Sequence, residues 1–472
     1  MKLPNIKENF ADWYNEVIYA SELADQSPVR GCIVIRPYGT ALWENMKSVL
    51  DEKFKQHGVQ NALFPLLIPE SFLKREAEHI EGFAPELAVV THAGGKKLEE
   101  NLVIRPTSET MIHFMFAKWI RSWRDLPLKI NQWANVMRWE MRPRAFLRTS
   151  EFFWQEGHTA HLTQEEANKM VLDILKEYVD FAENYLAISV ITGLKSDAEK
   201  FPGADYTYTF ESFMPDGKGL QMGTSHLLSQ NFAKSFDMKF QDQEGKQSFP
   251  YLTSWGVSTR LIGATVMAHG DDKGLVLPPK IAPIQVVIIP ILKKDANNQA
   301  TLDAAYKIKD SLIVKGIRVL VDDNDQQSPG FKFNNWEMKG VPLRIEVGPR
   351  DLENGQAIVA DRLGMNKEAV VLTNIINYSE ALLLKVQKEM FERSKIQQNK
   401  MLHKIAKLSE FGPLLDTDGI YIKTGWCKNP ACEKELKNFK ASTRCLLQTH
   451  ELVDCFYCGE KSKGDVLVAR SY

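Results

Sequence analysis

The segment FLRTSEFFWQEGHTAH, residues 146–161, limits the fold more than any other stretch, because its side chains alternate too regularly for a helix. Successive residues of a β-strand point to opposite faces of the sheet, so a period of two predicts a strand here. One face then carries Phe152, Trp154, Glu156 and His158. Two aromatic rings, a carboxylate and an imidazole are therefore expected side by side on one surface of a sheet.

A partner strand precedes this segment, and residues 129–158 are predicted to form an antiparallel hairpin joined by an arginine-rich loop. Arg138 and Glu140 have the same parity on the first strand, and further arginines follow at positions 142, 144 and 148. A guanidinium group donates two parallel hydrogen bonds to phosphate oxygens. An arginine on the sheet beside a nucleotide would bind the α-phosphate and stabilise developing charge. A solvated charged hairpin is the alternative.

Two other short segments bring polar groups of one parity together. In RPTSE, Thr107 and Glu109 offer a hydroxyl and an anion, which suit a substrate ammonium group. In SWGVSTR, Gly256 allows close approach of the backbone, and Ser258 and Arg260 share its parity. Arg260 is placed to stack on a base or to meet a terminal phosphate. Buried ion pairs between strands would explain either segment equally well.

Length and charge exclude several classes of protein. A chain of 472 residues predicts roughly three domains of about 150 residues each. The net charge is −1, so any nucleic-acid partner must be held by local basic patches. The N-terminus has no apolar signal region, and no run approaches the ~20 apolar residues of a membrane span. These features predict a cytoplasmic protein without a membrane partner.

The chain divides at the proline-rich stretch LVLPPKIAPIQ, residues 275–285. Residues 1–283 mix strands and helices, with antiparallel pairing in the hairpin. From 284 to 395 strands alternate with helices, which predicts a compact α/β domain with parallel pairs. Helices are expected over 378–393 and, in a lysine-rich segment, over 394–411. The cysteine-rich module is predicted to belong to a third domain, residues 396–472.

Five of the six cysteines lie near the C-terminus, where CKNPAC and CFYC form two short-spaced pairs. Two such pairs can make a closed tetrahedral thiolate site for zinc. A disulfide framework is the alternative, although a cytoplasmic location disfavours it. Cys445 and His450 compete as ligands with the four cysteines of the pairs, which are Cys427, Cys432, Cys455 and Cys458.

At this point the motifs carry a family resemblance. RPTSE, RWE followed by FLRTSEFFWQEGH, QMGTSHLLSQNF and SWGVSTRLIGATVMAHGDDKGLVLPP resemble those of prolyl-tRNA synthetases of the archaeal and eukaryotic type, in class IIa. The resemblance covers nearly the whole chain. It implies an α/β and α+β multidomain fold. The parts would be an antiparallel-sheet class II catalytic domain, an α/β anticodon-binding domain and a small C-terminal zinc-binding domain.

The resemblance also implies roles for individual residues. The implied proline site consists of Thr107, Glu109, Arg138, Trp154, Glu156, His158, His226 and Ser258. The implied ATP site consists of Arg138, Glu140, Leu147, Thr149, Phe152, Gln221, Thr224 and Arg260. Arg138 and Arg260 would be catalytic through their charge. The family pattern favours Cys427, Cys432, Cys455 and Cys458 as zinc ligands.

The implied activity is ATP-dependent ligation of L-proline to tRNA(Pro) through prolyl-adenylate, with Mg²⁺ on the ATP phosphates and a structural Zn²⁺. A homodimer is expected. Recognisable helix and strand fill the sequence between His158 and Arg260, so no cis-editing domain is expected there. Residues 81–100 would form a lid over proline, although a surface hairpin explains them equally well. In archaeal-type relatives a terminal tyrosine folds back towards the active site, which draws attention to Tyr472.

The anticodon-binding domain offers several basic and aromatic side chains for unpaired bases. They are Lys332, Trp336, Glu337, Lys339, Arg344, Arg350 and Arg362. None is singled out, and Trp336 would serve equally well in the core.

Two rival functions remain at this level. A class IIa synthetase for threonine, glycine or histidine shares the general motifs, but the set Thr107, Glu109, Trp154, Glu156 and His158 favours proline. A synthetase-like regulator would bind RNA without chemistry and would have no need of the arginines at 138 and 260.

Overall fold

The structure, a computed structural model, describes residues 3–73, 87–293, 297–415 and 420–472. The described α-helices are Phe10–Ala20 (α1), Pro37–Gln56 (α2), Glu70–Leu73 (α3), Glu109–Trp119 (α4), Gln164–Asn184 (α5), Asn231–Ser235 (α6), Arg260–His269 (α7), Gln299–Val314 (α8), Pro329–Met338 (α9), Pro349–Glu353 (α10), Ile375–Met401 (α11), Phe411–Leu415 (α12) and Pro430–Lys434 (α13). In this part of the chain no helix is both long and apolar enough to cross a membrane.

The strands alternate with these helices along the chain. They are Ala24–Gln26 (β1), Ile33–Ile35 (β2), Gln60–Asn61 (β3), Leu67–Pro69 (β4), Ala88–Ala93 (β5), Lys96–Ile104 (β6), Leu128–Met137 (β7), Glu151–His161 (β8), Ile191–Leu194 (β9), Tyr206–Phe213 (β10), Gly219–Ser229 (β11), Phe240–Gln241 (β12), Gln247–Ser248 (β13), Tyr251–Ser258 (β14), Val286–Pro290 (β15), Val319–Val321 (β16), Leu343–Val347 (β17), Gln356–Asp361 (β18), Lys367–Val371 (β19), Leu402–Lys404 (β20), Tyr421–Gly425 (β21), Ser442–Leu446 (β22) and Asp465–Ala469 (β23).

The largest sheet has eleven strands in the order β20-β21-β23-β22-β9-β10-β11-β14-β8-β7-β3. Neighbouring strands from β9 to β7 are all antiparallel. The predicted antiparallel catalytic sheet is therefore confirmed. It is also wider than the first domain alone, because four of its strands come from the last 71 residues of the chain.

The predicted hairpin is confirmed, with β7 and β8 paired from Leu128 opposite Ala160 to Met137 opposite Glu151. The prediction that Arg138 and Glu140 lie on the first strand was wrong, because β7 ends at Met137. The backbone N–H of Glu140 donates to Ser150 Oγ at 3.1 Å, where a ladder would use a backbone carbonyl. This side-chain hydrogen bond competes with the ladder and turns the chain away from the sheet.

The face of β8 opposite the predicted floor packs against α5 and its neighbours. The hydroxyl of Tyr178 lies 2.6 Å from the side-chain amide of Gln155. A Cβ atom at Gly157 would lie only 2.0 Å from the buried Trp255 indole, so the close packing of β8 on β14 requires glycine. Because this face is filled, the face bearing Phe152, Trp154 and Glu156 is left to line a cavity.

The second sheet has five strands in the order β16-β15-β17-β18-β19. Strand β15 runs parallel to both β16 and β17, and the remaining pairs are antiparallel. The predicted α/β domain with parallel pairs is confirmed. Its core is a cluster of buried aliphatic side chains that includes Val286, Ile288, Leu343, Ile345 and Val359.

A single helix, α11, runs through residues 375–401 and so crosses the predicted domain boundary at 395. The prediction of a separate lysine-rich helix over 394–411 was wrong at its C-terminal end. Residues 402–404 instead form a strand parallel to β21. Pairing with a strand that lies distant in sequence outweighs the local helical pattern here.

Among the ion pairs that join the second domain to the first in the described part of the chain, two engage cations that were expected to meet RNA. Arg362 donates two hydrogen bonds to the carboxylate of Asp271, at 2.8 and 2.6 Å. The ammonium group of Lys339 donates to Glu22 at 2.6 Å. Lys332 is only 2 % exposed and donates to the carbonyl oxygen of Asp322. The expectation that these three cations are available for unpaired bases was therefore wrong.

Residues 88–104 form an antiparallel hairpin of β5 and β6 that turns at Gly94 and Gly95, both with positive φ. The predicted surface hairpin over residues 81–100 is thus present from residue 88 onwards. Residues 81–86 of that prediction lie outside the described residues.

Candidate active site

Two adjoining cavities open on the face of the central sheet that bears the predicted floor. The larger has a volume of about 640 Å³ and the smaller about 320 Å³. Both are lined by Arg138, Phe152, Ser258 and Arg260, which therefore stand at their junction. An elongated ligand that fills both cavities would contact these four residues near its middle.

Nearly all of the predicted site residues line these cavities. The larger cavity is lined by Thr107, Glu109, Arg138, Phe152, Trp154, Glu156, Gln221, Thr224, His226, Ser258 and Arg260. The smaller cavity adds Glu140, Leu147 and Thr149. His158 is the exception, because it is fully buried and contacts Glu156 beside it on the same face of β8.

Glu156 is held by a network that sequence inspection missed. Its carboxylate accepts hydrogen bonds from the side chain of Gln132, the backbone N–H of Ser108 at 3.2 Å and His158 Nε2 at 3.0 Å. Burial alone would raise the pKa of Glu156, but its bond to His158 and the charge there lower the pKa below the usual range. The carboxylate is thereby fixed in its charged form at the bottom of the cavity.

The pKa of His158 is shifted in the opposite direction to that of Glu156. Burial lowers its pKa, but the hydrogen bond that His158 donates to Glu156 and the charge of Glu109 outweigh burial and raise the pKa above its usual value. The lowered pKa of Glu156 and the raised pKa of His158 both favour the charged form of this buried pair. The nearby Glu109 accepts a hydrogen bond from the Thr107 hydroxyl and lines the larger cavity. Negative charge therefore accumulates on this side.

His226 is neutral at physiological pH. Burial and the charge of His158 lower its pKa to about 3. Its two ring nitrogens lie 2.9 Å from the hydroxyls of Thr207 and Thr224, one on each side. A neutral imidazole fixed between two hydroxyls closes the cavity wall without adding positive charge.

Replacing His226 with asparagine is expected to weaken the dependence of stability on acid pH. The unfolded histidine titrates near 6.5 and the folded one near 3, so below pH 6.5 the unfolded chain binds an extra proton. As the pH is lowered below 6.5, this residue therefore lowers the free energy of unfolding by ~1.4 kcal/mol per pH unit. Urea denaturation at pH 6.5 and 4.5 should show wild type losing about 2–3 kcal/mol more than the variant. Parallel pH profiles would contradict a neutral His226.

The two arginines at the junction are fixed by backbone carbonyls. Arg138 donates from Nε to the carbonyl of Pro106 at 3.0 Å, and its guanidinium lies 5.4 Å from the centre of the Phe152 ring. Arg260 donates to the carbonyls of Leu147 and Gln221, both at 3.2 Å. Burial, followed by the charge of Arg138, lowers the pKa of Arg260 to about 10, so it stays charged at neutral pH. Two oriented cations therefore face the cavity junction.

Glu140 orders the loop that follows β7. Its carboxylate accepts hydrogen bonds from the backbone N–H of Arg142 at 2.8 Å and from the Arg148 guanidinium at 2.9 Å. Among the described residues that line the smaller cavity, Glu140 is the one carboxylate. The loop is therefore ordered beside this cavity, with Arg148 lining it and Arg142 exposed to solvent.

Several residues that line the cavities were not assigned to the site from the sequence. Thr207 and the segment Glu199–Pro202 line the larger cavity, and Tyr472 lines the smaller one. The Tyr472 hydroxyl donates to Asp216, and its ring lies 5.5 Å from the Arg144 guanidinium. Only the terminal position of Tyr472 drew attention to it, because no local pattern indicates which distant cavity a chain end reaches.

The four paired cysteines form a separate cluster in the C-terminal module. Cys427, Cys432, Cys455 and Cys458 offer sulfur atoms within 4.8 Å of one another, in a group that includes neither Cys445 nor His450. Sγ of Cys427 lies 3.7 Å from Sγ of both Cys432 and Cys458. Tetrahedral zinc, with Zn–S bonds of ~2.3 Å, separates its sulfur ligands by roughly 3.8 Å. All six cysteines of the chain are free thiols.

The thiols of this cluster differ, because burial raises the pKa of Cys427 and Cys432 whereas the pKa of Cys455 is lowered. Burial acts to raise the pKa of Cys455, but backbone N–H groups, led by that of Tyr457, lower it to about 7. N–H donors directed at a sulfur stabilise the thiolate, which is the form that binds metal. The donor set and spacing therefore fit a closed four-thiolate zinc site.

Comparisons with known proteins cover the whole chain. The profile described as "tRNA synthetase class II core domain (G, H, P, S and T)" matches residues 91–269. The profile "Anticodon binding domain" matches residues 285–382, and "Prolyl-tRNA synthetase, C-terminal" matches residues 408–472.

Similar whole proteins are also known. The proline–tRNA ligase of Acetoanaerobium sticklandii is 50% identical over 474 residues, which span 100% of this chain and 98% of that protein. Proline–tRNA ligase 2 of Clostridioides difficile is 48% identical over the same shares of each chain. The crystal structure of the prolyl-tRNA synthetase from Cryptosporidium parvum with halofuginone and AMPPNP is 42% identical. It has a TM-score of 0.95 and covers 99% of each chain.

Proposed function

The chain belongs to the class II proline–tRNA ligases, and from that membership we propose that it charges tRNA(Pro) in two steps through a prolyl-adenylate intermediate. The observation that carries the proposal is the junction of the two cavities, where Arg138, Phe152, Ser258 and Arg260 line both. The larger cavity carries the carboxylates that suit a substrate imino group, and the cations and ring at the junction suit a nucleotide. The reacting atoms would meet between them.

In the first step, a carboxylate oxygen of proline attacks the α-phosphorus of ATP. A new P–O bond forms, the bond to the bridging oxygen of the β-phosphate breaks, and pyrophosphate leaves. Arg138 and Arg260 stabilise the negative charge that develops on the α-phosphate, and no side chain forms a covalent bond. Their fixed hydrogen bonds to backbone carbonyls support this role, because preorganised cations need no rearrangement during reaction.

In the second step, a hydroxyl of the terminal ribose of tRNA attacks the carbonyl carbon of the adenylate. The ester bond forms, AMP leaves with the electrons of the cleaved C–O bond, and the hydroxyl proton is released. The bound substrates supply every reacting group, so the protein's task is positioning and charge stabilisation.

We assign the proline imino group to Thr107 and Glu109, whose hydrogen-bonded oxygens face the larger cavity. Trp154 and His226 would shape the pocket around the ring. The buried Glu156–His158 pair would set the floor, since its oxygens are already engaged by Ser108 and Gln132.

The nucleotide is assigned to the smaller cavity and to the adjoining part of the larger one, where Gln221 and Thr224 lie. Phe152 would form one wall for adenine and Arg260 the other, while Gln221 and Thr224 reach the ribose. Leu147, Thr149 and Glu140 line the smaller cavity and would contact the base and phosphates. Stacking between an aromatic ring and a guanidinium is a common way to hold a base.

Two metal ions are also part of the proposal. Mg²⁺ keeps most of its waters and takes one or two carboxylates beside substrate phosphates, so Glu140 would suffice on the protein side. Zn²⁺ would bind Cys427, Cys432, Cys455 and Cys458 in a structural role. When bound, Mg²⁺ would neutralise charge on the ATP phosphates, and Zn²⁺ would hold the C-terminal module together.

The finer type within the family is proposed from the comparisons. The similar structures from Cryptosporidium parvum are eukaryotic, which supports the archaeal and eukaryotic type, while the most similar curated proteins include those of bacteria such as Clostridioides difficile. The type therefore describes the architecture and not the source organism. The region between His158 and Arg260 consists of α5, β9 to β13, α6 and β14, which supports the absence of a cis-editing domain.

The remaining assignments concern assembly and organisation. Leu63 and Leu66, in the segment that joins β3 and β4, and Leu67, the first residue of β4, are exposed, and a homodimer would cover them. We propose the cytoplasm as the location, because tRNA charging takes place there. The division into residues 1–283, 284–395 and 396–472 is kept as a functional one, although α11 and the central sheet cross its boundaries.

The decisive experiment is pyrophosphate exchange with a panel of amino acids, followed by charging of tRNA(Pro). Proline should support exchange far above threonine, glycine and histidine. Exchange without proline specificity would indicate another class IIa activity, and proline exchange without charging would contradict the second step. A regulator that only binds RNA would show neither reaction.

Fidelity provides a further expected result. Alanine and cysteine are smaller than proline, and a missing methylene changes binding by only about 1–3 kcal/mol. We expect the enzyme to activate alanine or cysteine measurably and to release mischarged tRNA intact. Incubation with purified alanyl-tRNA or cysteinyl-tRNA that bears the proline anticodon measures deacylation. Hydrolysis well above the spontaneous rate would show that an editing activity exists.

A further inference from the structure

The C-terminal module and the catalytic domain meet at a buried cluster of three charges, formed by Lys195, Glu211 and Arg444. Arg444 Nε donates to one carboxylate oxygen of Glu211 at 2.7 Å, and Lys195 Nζ donates to the other. All three residues are buried, and the Glu211 side chain is fully so. Lys195 follows β9 and Glu211 lies in β10, whereas Arg444 comes from β22 of the C-terminal module.

Such a cluster costs free energy if its only role is to hold the two domains together. Removing each charge from water costs several kcal/mol, and apolar side chains of similar volume often hold an interface as well or better. A buried ion pair does, however, fix the relative position of the two surfaces that carry it. The location of Glu211 indicates what is being positioned.

Glu211 stands opposite Gln221 in the β10–β11 pair, directly after a shift of register at Phe210. Bulges of this kind redirect side chains next to binding sites. The carbonyl oxygen of Gln221 accepts the hydrogen bond from Arg260 Nη1 at 3.2 Å. The charge cluster is therefore linked to Arg260 in two steps. Glu211 pairs with Gln221 across the two strands, and the Gln221 carbonyl accepts the hydrogen bond from the Arg260 guanidinium, which faces the nucleotide cavity.

The last residues of the chain form backbone hydrogen bonds with Gly219, the first residue of β11. The backbone N–H of Gly219 donates to the carbonyl of Arg470 at 2.7 Å, and that of Tyr472 donates to the carbonyl of Gly219. A Cβ atom at Gly219 would lie 3.0 Å from Arg444 Nε, so the strand passes directly beside the cluster. The residues of β11 that precede Gln221 are thus enclosed by the C-terminal module.

We propose that Arg444 is a positioning residue for adenylation. It anchors Glu211 and, through the β10–β11 pair, fixes the Gln221 carbonyl that orients Arg260 against the nucleotide. The C-terminal module then acts on the ATP side of the site and leaves the proline side alone. This inference rests on the proposed function, and on the assignment of Arg260 to ATP in particular.

The test is steady-state pyrophosphate exchange with Arg444→Met, which removes the charge but keeps most of the length. The KM for ATP should rise, and kcat should fall, by a combined factor on the order of 10–100, because a small misplacement of a catalytic group costs that much. The KM for proline should stay within about twofold. Glu211→Gln should show the same split between ATP and proline.

Matched variants separate positioning from stability. Lys404→Met removes a surface ion pair with Glu451 in the same module and should change neither KM. Arg444→Lys keeps the charge but not the geometry and should give an intermediate shift in the KM for ATP. If Arg444→Met fails to fold, unchanged ATP kinetics in Arg444→Lys overturn the inference. An equal rise in the KM for ATP and the KM for proline, in any folded variant, also overturns it. Failure of wild type to show proline exchange would instead refute the proposed function.

Discussion

Arg138→Ala lowers the rate of proline-dependent pyrophosphate exchange by a factor on the order of 10²–10³. The expectation follows from its position at the junction of the two cavities, where the α-phosphate must lie for proline to attack it. Removing one preorganised donor from a site where charge develops has effects of this size. Folding should change little, because the side chain lines a cavity and not a packed core.

The matched control is Arg142→Ala, in the same loop. Arg142 is exposed and lines neither cavity, so its loss should leave exchange near the wild-type rate. Active-site titration and thermal unfolding of all three proteins would separate a chemical effect from lost protein. Near-normal exchange in Arg138→Ala would rule out its assigned role, and an equal loss in Arg142→Ala would attribute the effect to the loop.

The double variant Cys455→Ser, Cys458→Ser loses its bound metal and much of the stability of the C-terminal module. A structural zinc site contributes on the order of 10 kcal/mol or more of apparent folding free energy, and two remaining thiolates cannot retain the ion. Elemental analysis should find one zinc per wild-type chain and none in the variant, when both are purified without chelator. Adenylation should decline no further than it does in Arg444→Met.

Cys32→Ser is the control for this variant, because Cys32 lies far along the chain from the cluster and belongs to no potential metal-binding group among the residues that the structure describes. It should retain zinc and its thermal unfolding profile. Wild-type protein without zinc would contradict the site directly. Full retention of zinc in the double variant would show that other ligands hold the ion.

The hairpin and its floor could be predicted because their information is local. A period of two in residues 152–158 assigns the faces of β8, and the filling of the other face by Gly157 and Trp255 is consistent with it. The cavities are also lined by residues from β10, β11 and β14, from loops and from the first turns of α4 and α7, because the sheet brings these elements together. Family motifs located these, whereas alternation alone could not.

The rest depends on contacts that no local pattern encodes. Gln132 and Ser108 fix Glu156, but no local pattern in the sequence indicates that either contacts this carboxylate, although Ser108 belongs to the RPTSE motif. Lys339 and Arg362 resemble exposed nucleic-acid ligands in sequence, yet ion pairs with the first domain engage them. The local sequence around a basic residue does not indicate whether its side chain binds a phosphate or a distant carboxylate. Only the tertiary structure distinguishes the two cases.

The pairing of β22 with β9, at Leu446 opposite Leu194, has a consequence for synthesis on the ribosome. The hydrogen-bonding edge of β9 exists once residue 194 has emerged, but its partner emerges roughly 250 residues later, or on the order of 10–50 s at 5–20 residues per second. An unpaired edge strand is a template for association with other chains. The nascent protein therefore carries an open edge through most of its translation, and a chaperone that covers strand edges would raise the yield of the full chain more than that of its second domain.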